Sequence, residues 1–149
     1  MSEQNLGQKY FGKDIHELNL TEKLFIVQAE TDRVNKTGQS YNFSYASSSD
    51  VLNLVKNLLN KVYVRLFVSK EYEELKHIEG QRRPTVHLHA TYEFKFINVH
   101  NPSEVEVVYW TGQGWGDETS TGKADTYAEK YMLLKFFHIP TDDLDPEHV

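Results

Sequence analysis

The chain contains no cysteine, which removes disulfides and thiolate metal sites and fits a reducing cytoplasm. It has no apolar run near the roughly 20 residues that cross a bilayer, and its first residues lack the apolar stretch of a secretory signal. A cytoplasmic protein without a membrane partner is expected. Basic charge is scarce: 16 Lys and Arg against 22 Asp and Glu give a formal net charge of -6, whereas phosphate binders usually carry a basic excess. No G-x-x-x-x-G-K-[ST], G-x-S-x-G or H-E-x-x-H occurs, and no carboxylate pair stands out. ATP binding through a P-loop is therefore not expected, nor is any cofactor or catalytic residue.

What is present is a chain of 149 residues, 26% charged and 13% aromatic, enough for one domain over residues 1–149 with its own core. Its charge is segregated. Lys56, Lys61, Arg65 and Lys70 fall in a stretch without an acid, Arg82 and Arg83 stand together, and the acidic tail holds Asp142, Asp143, Asp145 and Glu147. Local basic patches thus survive the acidic total.

Residues from about 1 to 18 read as a polar arm. Asn19 and Glu22 form a capping-box pattern, with a helix carrying Leu20, Leu24 and Val27 and fading near Asp32 before a turn at Val34–Gly38. Tyr41, Phe43 and Tyr45 alternate on one face of an extended segment over 40–46, suited either to packing beneath a helix or to stacking on bases. Val51, Leu52, Val55, Leu58, Leu59 and Val62 give the cleanest helical period in the chain. A strand is expected from Tyr63 to Ser69, then a charged connector over Lys70–Gln81.

Thr85–Asn98 alternates as a long strand. Val86, Leu88, Ala90, Tyr92, Phe94 and Phe96 share one face; His87, His89, Thr91, Glu93 and Lys95 share the other. Glu104–Trp110 returns as a hairpin partner with Val105, Val107 and Tyr109 inward, and a glycine-rich turn at Gly112–Gly116 leads to a helix ended by Pro140. On that helix Lys123, Thr126 and Lys130 form one stripe, while Met132, Leu133 and Phe136 are left over for partner subunits. The fold class is α+β: a small antiparallel sheet with helices packed on one face.

Two motifs invite other readings. Gly112-x-Gly114-x-Gly116 misses the dinucleotide fingerprint, because Asp117 stands where the third spacing needs glycine. His87, His89 and Glu93 on one strand face could ligate a metal, as in the first half of a cupin motif, which would make the protein a metal-dependent enzyme. The row is equally the polar side of an exposed strand, and two helices fit a cupin poorly.

Lys123-Ala124-x-Thr126-x-Ala128-x-Lys130-Tyr131, followed by Phe137-x-Ile139-Pro140-Thr141 and the acidic tail of about 141–149, resembles the signature of the Erf family of phage single-strand DNA annealing proteins. Gln28-Ala29-Glu30, Val34-Asn35-Lys36 and Tyr45-Ala46-Ser47-x-x-Asp50-Val51-Leu52 follow the family's order, so that the likeness covers Leu20 to Pro146. The family's basic residue between the glycines and the helix is absent from Asp117–Ser120. The resemblance implies a β-β-β-α core similar to that of the eukaryotic annealing mediators, assembled into a ring or helical filament without nucleotide hydrolysis. It also implies single-stranded DNA as partner, in a host bacterial cytoplasm, with a single-strand DNA-binding protein as a further partner. In such a protein Arg82, Arg83, Lys95, Lys123 and Lys130 are expected to hold the backbone, His87 and His89 to flank them, and Trp115 or Tyr45 to stack on bases. A replication adaptor that binds protein instead of DNA is the remaining alternative.

Overall fold

The computed structural model describes residues 5–37, 48–79, 85–116 and 120–140, with the side chains of these residues except 34–37, 48, 85, 115–116 and 120–123. The strand expected over 40–46, the acidic tail, Tyr45, Arg82 and Arg83 lie outside the described residues.

From residue 5 onward the expected polar arm is folded. A short helix α1 (Leu6–Phe11) starts where Gln8 N donates to Asn5 Oδ1 at 3.1 Å and stops at Gly12, whose φ of 65° is the left-handed conformation that ends helices. A 3-10 turn follows at Ile15–Glu17. Leu6 and Leu18 are buried in the main core, so this segment belongs to the domain.

Helix α2 (Leu20–Thr37) opens with the reciprocal capping box that its sequence predicts: Glu22 N donates to Asn19 Oδ1 at 2.8 Å and Asn19 N to Glu22 Oε1 at 2.9 Å. It runs past Asp32 through the stretch expected to turn, because nothing before Gly38 breaks a helix. Helix α3 (Ser48–Lys61) buries Val51, Val55, Leu58 and Leu59, as its period requires.

Three antiparallel strands follow in the order β1 (Val64–Ile78), β2 (Thr85–Asn98), β3 (Val105–Gly116), and helix α4 (Ser120–Phe136) completes a β-β-β-α core. The class is α+β, as expected. Leu88, Ala90, Tyr92, Phe94 and Phe96 of β2 are all buried against the helices. The opposite face carries no further element among the described residues.

Four further expectations are corrected. The charged connector is strand: β1 continues to Ile78, with a bulge between Lys70 and Tyr72, and pairs along its length with β2. The glycines do not form a turn but lie in β3, and the phase of that strand is reversed. Glu93 pairs with Tyr109 and Lys95 with Val107, which puts Val105, Val107 and Tyr109 on the outer face. Val108 and Trp110 pack inward, and Gly112 meets α4 where Ala124 and Ala128 are buried. Finally, Met132 and Leu133 are fully buried within the chain, and Phe136 stacks on Phe96 at 4.6 Å and 12°. The apolar surface left over on the last helix is covered within the chain by α3 and the sheet.

Candidate nucleic-acid interface

The outer face of the sheet is built from cross-strand rows. From one end they read Arg65–Ile97–Val105, Phe67–Lys95–Val107, Ser69–Glu93–Tyr109, Tyr72–Thr91–Thr111, Glu74–His89–Gln113 and Lys76–His87–Trp115. Residues paired across antiparallel strands share a face, so His87, His89 and Lys95 are brought together here. His87 Nε2 lies 2.8 Å from Gln113 Oε1. Lys95 Nζ is 3.5 Å from Glu93 Oε1, and Glu93 also accepts from Tyr109 Oη at 3.0 Å. Trp115 stands beside His87 in register; its side chain lies outside the described ones.

Lys130 belongs to α4, on the opposite face of the sheet. Its Nζ lies 5.7 Å from the centre of the Tyr127 ring and 5.3 Å from that of Tyr131, and the two rings stack 6.0 Å apart. A cation over two aromatic faces is held in place by them. Lys123 is in the same helix, seven positions earlier; its side chain is outside the described ones. Within one chain, therefore, the described members of the expected set occupy two sides of the sheet, His87, His89 and Lys95 on one and Lys130 on the other.

The metal reading fails on geometry. His89 and Glu93 are four residues apart on one strand, about 13 Å at roughly 3.3 Å per residue, too far to share an ion. Glu93 is already bonded to Tyr109 and Lys95, and no group of His, Asp and Glu among the described residues could hold a metal. A three-stranded sheet with helices on one side is also not a cupin.

The acid-free stretch from Lys56 to Lys70 is the signal that the expected site list leaves unused. Lys56 is 3.6 Å from Glu129, and Lys70 is 2.7 Å from Glu73 and 4.0 Å from Asp125. Asp125 also accepts from Tyr92 Oη, and burial together with that carboxylate raises the pKa of the Tyr92 phenol. Lys61 and Arg65 face solvent beside a cavity of about 830 Å³ and one of about 550 Å³ that share Asn60 and Tyr63.

Two further charge clusters hold the frame. Lys23 is fully buried; its ammonium donates to Asn98 Oδ1 at 2.6 Å and lies 2.7 Å from His100 Nδ1. Burial lowers its pKa to about 8 against the pull of Glu104. Glu30, also buried, accepts from Tyr10 Oη at 2.6 Å, Lys9 Nζ at 2.8 Å and Arg33 Nε at 3.2 Å. Burial alone would raise its pKa, but these donors outweigh it and hold the carboxyl at about 2, while burial and the same bond push Tyr10 up to about 12.

Comparison with the curated proteins found no match, and comparison with the solved structures found none either. The family model of the ERF superfamily matches residues 20–148, from the first residue of α2 almost to the last of the chain. With a match over nearly its whole length, this chain belongs to the ERF superfamily, whose proteins serve single-strand DNA annealing and recombination.

Proposed function

We propose that this protein binds single-stranded DNA and anneals complementary strands without ATP, as a phage-encoded recombination protein working in the host bacterial cytoplasm. The observation that carries this reading is the family match over residues 20–148, laid on a β-β-β-α order. The protein acts by binding and pairing, not by catalysis. Annealing needs the backbone held and the base edges left free, a task for scattered cations and stacking rings.

The contacts assigned to the backbone are Arg82, Arg83, Lys95, Lys123 and Lys130, with His87 and His89 beside Lys95 and with Trp115 or Tyr45 stacking. Because described members of this set lie on two sides of one sheet, a continuous track requires neighbouring subunits to bring opposite sides together. A ring or helical filament of identical chains does this. The outer face supports it: Phe67, Val105, Val107 and Tyr109 are 42–57% exposed there, and β1 and β3 are both edge strands. A single-strand DNA-binding protein is the natural supplier of the coated strand.

The test is an annealing assay with two complementary oligonucleotides, without nucleotide, alongside negative-stain imaging. Accelerated pairing by a multi-subunit assembly is expected. A monomer that neither binds nor pairs strands at low salt would overturn the reading and leave the protein-binding adaptor in its place.

A further inference from the structure

We propose that a nucleotide of single-stranded DNA stacks on Tyr63 while its flanking phosphates lie against Lys61 and Arg65, a site at the junction of α3 and β1, away from His87, His89, Lys95 and Lys130. The proposal rests on the annealing reading above and locates a strand-binding point that the sequence motifs do not mark. Four observations lead to it.

Tyr63 follows α3 with φ 60°, where glycine is the ordinary choice. The conformation is fixed on both sides: Tyr63 N donates to Asn60 O at 3.2 Å, and Tyr63 O accepts from Val99 N at 3.0 Å. A large ring at such a position is conformationally costly, and the ring is not used to fill the core, since Tyr63 is 52% exposed.

The ring is supported from behind. His100 lies 4.7 Å from it at 40°, and His16 sits 6.3 Å from His100. A side chain backed in this way forms a ready platform for a base, because little freedom remains to be lost on stacking.

The ring also stands where the two cavities of about 830 and 550 Å³ meet, which gives a strand room on either side. Of the basic residues in the stretch 56–70, Lys56 and Lys70 are neutralised by Glu129 and Glu73. Lys61 and Arg65 have no carboxylate partner among the described residues, Arg65 resting 5.3 Å over the Phe67 ring. The two cations free to take up phosphate therefore flank the one exposed tyrosine of the stretch.

The test uses the full chain and a fluorescein-labelled oligothymidylate, with anisotropy read over a salt series. Tyr63→Gly removes the ring while favouring the backbone conformation, so the fold is kept, and circular dichroism checks it. Dissociation constants are expected to rise roughly tenfold for Tyr63→Gly, with Tyr63→Phe close to wild type. The Lys61→Gln/Arg65→Gln variant, altered only at exposed positions, should lower the log–log salt slope by about 1.4, at ~0.7 per lost single-strand contact. Wild-type affinity and slope in both folded variants would overturn this site and leave annealing standing. A wild-type chain that does not bind the oligonucleotide would overturn both.

Discussion

Gly112 of β3 and Ala124 of α4 meet backbone to backbone: a Cβ on Gly112 would collide with the Ala124 carbonyl oxygen and stand 3.0 Å from the Ala128 Cβ. The obstacle is main chain, which cannot swing aside. Gly112→Ala should therefore push α4 off the sheet and cost about 1–3 kcal/mol. Urea unfolding with an unchanged m value and an earlier midpoint would show it; an unaltered midpoint would mean that the contact is looser than described.

A second prediction concerns alkaline stability. The folded pKa of Lys23, about 8, lies below the ordinary 10.5, so between these values the unfolded chain holds a proton that the folded chain has released. The sign follows: this lysine makes stability rise with pH across that window, and below it the folded state bears a buried charge. Melting temperatures of wild type and Lys23→Met, compared between pH 7.5 and 10, should show the rise only in the wild type.

Glu30 works in the opposite direction. Its folded pKa of about 2 lies below the ordinary 4.5, so its contribution is complete above that value and is lost as pH falls toward 2. With Lys9 and Arg33 partly exposed, about 2 kcal/mol is a fair magnitude after screening. Glu30→Gln should flatten the acid limb of the stability curve. A limb of unchanged steepness would assign acid sensitivity to other carboxylates.

His138 closes α4 with φ 55°; its N–H donates to Lys135 O, and Ile139 N to Leu134 O at 2.7 Å, the paired bonds of a Schellman cap. The imidazole is exposed and not needed there. His138→Gly is expected to stabilise the fold by about 1 kcal/mol, read as a higher melting temperature.

Legibility in the sequence followed burial. Where one face was dry, as in α3 and β2, the apolar period was clear and the reading held; so did the Asn19–Glu22 cap, which is local chemistry. From Glu71 to His77 β1 is exposed on both faces, so no alternation could mark it as strand. β3 defeated phase for a different reason. Val105, Val107 and Tyr109 decorate the outer face, while the covered face is marked by Gly112, small enough to admit a helix. Met132 and Leu133 looked surplus because a sequence shows a helix face but not how many neighbours share it. Of the candidate site, the paired strand face was readable from alternation. The split of Lys95 and Lys130 across the sheet was not, since it depends on which side α4 takes, and Tyr63 was hidden because a φ value has no letter.

The family match starts at Leu20, yet Asn98, at the close of β2, donates to the Leu18 carbonyl at 3.3 Å and to Glu104 at 2.9 Å. A protein trimmed to that boundary would give up the lid that Leu6 and Leu18 place over the interior, and Glu30 would lose its Lys9 and Tyr10 partners. Residues 5–19 are thus part of the folding unit, which is longer than the stretch by which its kinship is recognised.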